Sequence, residues 1–327
     1  MNKEIKQYGI RFMSFAKNAI MYNNPNQKFE YWGEDNLLPL QYIKMYNEIP
    51  EHSSCIKFTT DAVLEGINTD RINKWVLKKI VKDFNMFGGY ALQVIKTRGN
   101  GNKIAYVDIS NCRYTLDKNK IAYSEEWSKY KREVSYFNIT NSLDKEGIFI
   151  YKSNDSRGVY PMPDYVSASK SLDTMRAIID YHNNNAMNGF SPSCVINFNN
   201  GIPDDETQEK IENGIKKKFT GEVGQKFILS FNESVDTKTT IEPLITDNLD
   251  EKFETLQKFI QNQIVVSHRL TSGCLIGIVP ESQGFTSTEF QESLDVFNKV
   301  VVNGLRDELI YSFSIILGED TNNKEVK

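Results

Sequence analysis

The sequence is poor in the residues that build metal and redox sites. Its four cysteines, Cys55, Cys112, Cys194 and Cys274, stand far apart with no Cys-x-x-Cys pair. That argues against a zinc ribbon or a disulfide scaffold and suits a reducing compartment. The three histidines, His52, His182 and His268, are equally scattered, and none pairs with another at metal-ligand spacing. No apolar run is long enough for a membrane span, and the mean hydropathy is −0.47. The first twenty residues are not a signal peptide, because Arg11 and Lys17 interrupt their apolar positions. Excess positive charge is missing too: 39 Lys and Arg face 43 Asp and Glu, a formal net charge of −4. A protein that grips DNA statically carries a basic footprint, so any contact with nucleic acid is expected to be loose. No HExxH, GxSxG or Walker A sequence is present. No catalytic, metal or cofactor residue is therefore assigned, and an enzyme is the weaker class.

What is present reads as an α+β chain. Its 327 residues, 39% hydrophobic and 25% charged, suffice for two or three compact units of an ordinary globular protein. Ile5, Tyr8, Phe12, Phe15 and Ala19 recur at helical spacing, as in an amphipathic docking helix. Three short helices follow: one opening near Pro39, one after Pro50 with Ile56, Thr59 or Thr60 and Val63 inward, and one through Phe87. Asp70 is the expected cap of the third, with Ile72, Trp75, Val76, Lys79, Ile80 and Phe84 near one face. Short aromatic and β-branched runs from "YALQVIK" to "EGIFIYK" then predict an antiparallel β region. Its "TRGNGNK" lacks phosphate-loop spacing and reads as a hairpin turn.

A long helix follows from about Pro163 to Gly189, with only a thin apolar stripe of Val166, Leu172, Met175, Ile179 and Ala186. Its far end, "YHNNNAMNGFSPSCVINF", is polar and neutral before the chain restarts as a strand. "SPSCVINF", a capped helix and "GQKFILSF" predict a small β-α-β insert. A second long helix runs from about Leu249 to His268, with Phe253, Leu256, Phe259, Ile260 and Ile264 at helical spacing. An irregular loop, "LTSGCLIGIVPESQGFTS", leads to a last helix for which Thr288 is the expected cap, and then to a polar tail. Asp204 to Glu206 read as acids complementing a helix N-terminus, and His268 as a structural hydrogen bonder.

This order of elements resembles that of tailed-bacteriophage portal proteins of the HK97-like and PBSX-like type. Three stretches carry the resemblance: "MFGGYALQVIKTRGNGNKIAYVDISNCR"; "GVYPMPDYVSASKSL" through "NNNAMNGFSPSCVINF", with its Asn-Gly-x-x-Pro step; and "VSHRLTSGCLIGIVPESQGFTSTEFQESLDVF". In the last, Arg269, Leu275, Gly277, Ile278, Gly284 and Phe285 stand where many relatives carry Arg, an apolar Leu-x-Gly-Ile and a Gly-Phe step. Relatives often have Pro-Pro after the Arg, where this chain has "LTSG", so its loop is expected to bend differently.

The resemblance implies a portal fold: an α/β wing (1–160), stem helix (161–190), β-α-β clip (191–244), second stem helix (245–270), tunnel loop (271–287), helix (288–317) and disordered tail (318–327), without a helical crown. It implies a homododecameric ring at the capsid vertex of a virion, assembled in the host cytoplasm. Double-stranded DNA would pass through without sequence specificity. Terminase, a head–tail adaptor, and the major capsid and scaffolding proteins would be partners, with no cofactor, metal or membrane. By position, Gln283, Phe285, Thr286 and Ser287 are expected to face DNA from the tunnel loop, and His182, Asn183, Asn184 and Asn185 from the stem. Lys216, Lys217 and Lys218 are the expected clip docking residues, although such a cluster is equally a solvated helix end. Ile260 is expected at a contact between subunits. The runner-up reading is another structural or adaptor protein of a phage particle; a nucleic-acid-processing enzyme comes third.

Overall fold

The computed structural model describes residues 28–67, 71–97, 101–127, 132–138, 145–153, 158–187, 194–198, 203–219, 227–231, 249–279 and 286–317. The N-terminal amphipathic segment and the tail lie outside them. The fold is α+β, and it divides into two compact units. The first holds the described residues up to Met175 together with those from Lys258 onward, and the second spans Arg176–Gln257.

The first unit opens with three helices, α1 (Leu38–Glu48), α2 (Pro50–Glu65) and α3 (Lys74–Phe87). Pro39 and Pro50 sit in the first turns of α1 and α2, where a missing N–H leaves no bond unmade. Ile56, Thr59, Thr60 and Val63 are all buried along α2, as their spacing predicts. The cap of α3 is Asn73, not Asp70: its side chain accepts from the Trp75 N–H at 2.9 Å. The buried face of the helix is Leu77, Ile80, Val81, Phe84 and Phe87. Trp75 and Lys79 are exposed, so the apolar face expected from the sequence is corrected on those two residues.

"MFGGY" is the hinge between helix and sheet. Gly88 closes α3 with φ +76°, a left-handed conformation that suits glycine. A Cβ there would collide with the Met162 carbonyl, so the glycine also admits the Pro161–Pro163 segment. The strands β1 (Gly89–Ile95), β2 (Lys103–Val107), β3 (Cys112–Tyr114), β4 (Lys120–Tyr123), β5 (Arg132–Ser135) and β6 (Glu146–Lys152) follow. They form two three-stranded antiparallel sheets, ordered β2-β1-β6 and β3-β4-β5. β1 and β2 pair as the expected hairpin, with Ile95 opposite Lys103. Tyr136 and Phe137 join the sheets: Phe137 N–H donates to the Ile148 carbonyl at 2.9 Å.

Arg113 is the largest side chain buried with under 2% of its surface exposed. No carboxylate bonds it among the described residues. Its guanidinium donates to the Ser110 and Cys112 carbonyls at 2.8 Å, to the Asn36 carbonyl at 3.1 Å and to the Asn36 side-chain oxygen. It lies over the Trp127 ring at 4.8 Å and the Trp32 ring at 5.5 Å. Burial lowers its pKa to about 10, still far enough above neutrality to keep the charge. The bonds reach across to Asn36, so this one cation pins the segment before α1 onto the second sheet.

A 3-10 turn (Asp164–Ala168) leads into α4 (Ser169–Met187). The buried stripe is Tyr165, Ala168, Leu172, Met175 and Ile178 rather than one through Ile179. In the second unit, β7 (Cys194–Phe198) and β8 (Phe227–Phe231) pair in parallel around α5 (Asp205–Phe219), the expected β-α-β insert. Asp204 caps α5, accepting from Thr207 N–H at 2.8 Å. Then come α6 (Leu249–Ser267), a 3-10 turn (Gly273–Ile276), α7 (Ser287–Phe297) and α8 (Asn303–Leu317). The last two helices, expected as one, are joined by a π turn over Asn298–Val302, which widens the helix by a residue per turn. Their cap is Thr286, not Thr288: its hydroxyl accepts from Glu289 N–H at 3.3 Å.

Arg113→Met keeps the bulk but removes the cation and its hydrogen bonds to the Ser110, Cys112 and Asn36 carbonyls and to the Asn36 side chain, which keeps only the Trp32 N–H. Denaturant unfolding is expected to lose about 3 kcal/mol. A loss under about 1 kcal/mol would mean that the aromatic packing holds the segment without the charge.

Candidate channel and assembly surfaces

Tyr165 stands where the first long helix begins, and it is 2% exposed. Its hydroxyl donates to the Met86 carbonyl at 2.6 Å, in the last turn of α3. Its ring meets Tyr42 of α1 edge-on at 6.0 Å, His52 of α2 edge-on at 4.5 Å, and stacks on His268 at 4.9 Å. One aromatic side chain thus touches three N-terminal helices and the residue that follows α6. The roots of both long helices are thereby fixed against the same body.

His52 and His268 complete this joint. His52 Nδ1 and His268 Nε2 are 2.8 Å apart, so one ring N–H donates to the lone pair of the other. His52 Nε2 has no partner among the described residues. With Nδ1–H as the donor, that atom is a bare lone pair rather than an orphaned N–H. Burial lowers the pKa of His52 to about 3. His268 is driven well down by burial and then by His52 itself. The pair is neutral across the physiological range, and His268 is the structural hydrogen bonder that the sequence suggests.

Two residues beyond α6, Arg269 takes a left-handed conformation, φ +59°. Its N–H bonds the Val266 carbonyl and the Leu270 N–H bonds the Val265 carbonyl, the pattern that usually has glycine at this position. A side chain here costs about 1 kcal/mol relative to glycine. The Arg269 guanidinium reaches Asp164 at 3.5 Å, with both side chains about half exposed. A cleft of about 80 Å³ lies beside it, lined by residues including Gly88, Asp164, His268, Arg269 and Glu308. Ligand-sized pockets are several times larger.

The candidate channel residues are only partly described. His182, Asn183 and Asn184 are all exposed on the last turns of α4, while the Asn185 side chain lies outside the described residues. Next to them Tyr181 stacks on Phe253 of α6 at 5.1 Å. Thr286 and Ser287 are exposed at the start of α7, with the Thr286 hydroxyl committed to the cap. Gln283 and Phe285 lie outside the described residues. Lys216, Lys217 and Lys218 fall on the last turns of α5, with their side chains outside them too.

One expectation is corrected. Ile260 is 6% exposed, and Ile264 and Val265 are buried beside it, within the protomer. Among the described side chains of α6, the uncovered apolar ones are Leu256, Phe259 and Val266, at 39%, 57% and 67% exposure. They fall at i, i+3 and i+10, on one face of the helix. The sequence spacing grouped Phe259 with Ile260; helical phase puts them on different sides. Val296 and Val300, and then Ile310 and Tyr311, are likewise exposed on the α7–α8 pair.

No protein-family model matches this sequence, and no curated protein sequence matches it significantly. Solved structures do match. A chain from the neck of a native gene transfer agent (GTA) particle, computed with C12 symmetry, aligns with a TM-score of 0.54, covering 91% of this chain and 87% of that one at 13% identity. A chain from the virion of the native GTA particle gives 0.52, covering 86% and 82% at 15% identity. A chain from the neck of the empty particle, computed with C6 symmetry, gives 0.51 over the same shares at 14% identity. The likeness is one of fold. It spans most of both chains.

Two measurements test the joint. Histidine in an unfolded chain takes its proton near pH 6.5, whereas His52 in the fold does so only near 3. Between those values the unfolded state binds more protons, so stability is full above about pH 6.5 and is lost as pH falls toward 3. At pH 5 the loss from His52 alone is about 2 kcal/mol relative to pH 7, and His52→Gln is expected to flatten this dependence. A profile that is level from pH 7 to 5 in the unmodified protein would contradict the buried neutral pair. Arg269→Gly is expected to raise unfolding stability by about 1 kcal/mol; a clear loss would mean that the Asp164 contact outweighs the backbone strain.

Proposed function

We propose that this chain is the repeating subunit of a portal ring in a tailed-phage or phage-like particle, a passive conduit for double-stranded DNA. The observation that carries the reading is the extent of the fold likeness to GTA neck and virion chains, 91% of this chain in the fullest of the three alignments. The order of elements supports it: an α/β body, a long helix, a β-α-β unit, a second long helix, and a loop into a final helix.

The physics of the long helices agrees with a ring. Leu256, Phe259 and Val266 form an apolar stripe that a monomer leaves in water, and a second copy can cover it through a head-to-tail contact that closes on itself. The exposed end of α4 offers Asn183 and Asn184, neutral amides that hydrate well, beside His182. Duplex DNA gains affinity for every phosphate that a cation neutralises. A passage meant for sliding must therefore keep such contacts sparse, and the net charge of −4 is consistent with that. In this reading the ring is a homododecamer at the capsid vertex of a virion, made in the host cytoplasm. Terminase and a head–tail adaptor dock on it, by way of Lys216, Lys217 and Lys218 in the clip. The major capsid and scaffolding proteins surround it, and the chain itself catalyses nothing. The second reading, another structural or adaptor component of the particle, is favoured by the same fold likeness, since the compared neck and virion chains belong to a whole particle.

Negative-stain imaging and native mass measurement of the purified chain separate the two. Closed rings with an axial hole are expected. Phe259→Asp is expected to leave the protomer's thermal unfolding nearly unchanged while shifting rings to smaller species. Ile260→Asp instead places a charge in the protomer core and unfolds it. A monodisperse monomer under all assembly conditions would overturn the portal reading.

A further inference from the structure

One surface takes no part in the function proposed above. In a chain of net charge −4, α3 exposes Lys74, Lys78 and Lys79 with Lys82 half-buried, while its one acid, Asp83, is buried. Lys57 of α2 adds to the same charge. Its cation lies over the Tyr46 ring at 5.6 Å, and that of Lys82 lies over the same ring at 4.3 Å. The Lys79 cation sits over Tyr106 at 5.1 Å. Lys78 is 2.7 Å from Asp61, an exposed pair that leaves it in solvent. The rings hold flexible cations near fixed positions, which lowers the ordering cost of a partner that meets them.

In the middle of this charge stands Trp75, 77% exposed, the most exposed large apolar side chain among the described residues. The Asn73 cap sets its backbone, so the indole is held on a formed helix. Lys74 precedes it, and Lys78 and Lys79 follow one turn on, so ammonium groups flank it along the helix. Tryptophan held rigidly on a surface is the residue type that most often dominates a protein contact.

We propose that this face of α3 is a docking surface for an acidic polypeptide segment that carries an apolar side chain for Trp75 to bury. The lysines alone fit any polyanion. The indole decides the class: duplex DNA brings phosphates and sugars to a helix surface and no unpaired base for a tryptophan to stack on, whereas a peptide brings carboxylates and an apolar anchor together.

The test uses the full chain and three labelled probes: a Glu/Asp peptide with one central Leu, the same peptide with Ser in its place, and a short DNA duplex. The Leu peptide is expected to bind the unmodified protein most tightly. Trp75→Ala is expected to weaken it about tenfold and to leave the Ser peptide unchanged. Lys74→Glu with Lys79→Glu weakens both peptides. All three substituted residues are exposed, so unchanged thermal unfolding shows that each variant is folded. Absence of binding by the Leu peptide, or no effect of Trp75→Ala on it, overturns the proposal. So does tighter binding of the duplex with no dependence on Trp75.

Discussion

The Tyr165 ring is the contact on which the start of α4 and the end of α6, the parts of the long helices in the first unit, depend. It lies between α1, α2 and the end of α3, and it stacks on His268, the residue that follows α6. A helix of nineteen residues such as α4 or α6 cannot hold its own direction without a root. Here the root is made of rings rather than salt bridges. Aromatic rings in edge and stacked contact fix angle as well as distance, and the neutral histidine pair keeps charge out of the core. The cost is sensitivity to acid, because the buried pair gives up its fit when protonated.

Outside this joint the chain leaves conspicuous work undone. Phe259, Val266, Val300 and Tyr311 are each more than half exposed. Scattered apolar side chains are common on any surface, but those of α6 share a face. A neighbouring copy is the simplest cover, since each subunit of a closed ring presents the same stripe. The polar end of α4 raises the converse question. A helix end that needs no apolar partner is suited to water, and a run of neutral amides faces a polyanion without trapping it.

Much of this architecture can be read from the sequence, for reasons that are local. Proline in a first turn, glycine after Phe87 and alternating strands set α1, α2, the α3–β1 hinge and the antiparallel strands, but not their division into two sheets. The parallel β-α-β insert follows from strand, helix and strand at short spacing. Errors arise where two readings share a period. Asp70 and Asn73 are both good caps, and the stripe through Ile72, Trp75 and Lys79 shares Ile80 and Phe84 with the real one through Leu77 and Val81, so Trp75 reads as core although it is on the surface. Phe259 and Ile260 are adjacent in sequence, and only the phase of the whole helix tells which is inward. The same holds for Ile178 and Ile179 on α4. Arg113 and the His52–His268 pair were not legible at all as a hub and a joint. Their partners, Asn36 for the one and residues more than two hundred positions apart for the other, are brought together only by tertiary packing. The π turn before α8 has no signature in "FNKVVV" beyond a crowded valine run.

The central claim is that the two long helices belong to a closed ring around a DNA passage. A three-dimensional reconstruction of the purified assembly tests it most directly. The account predicts rotational symmetry about an axial hole, with Phe259 and Val266 covered by the adjacent subunit and His182 to Asn184 facing the hole. A reconstruction in which that stripe stays in solvent, or in which the helices surround no opening, would contradict it.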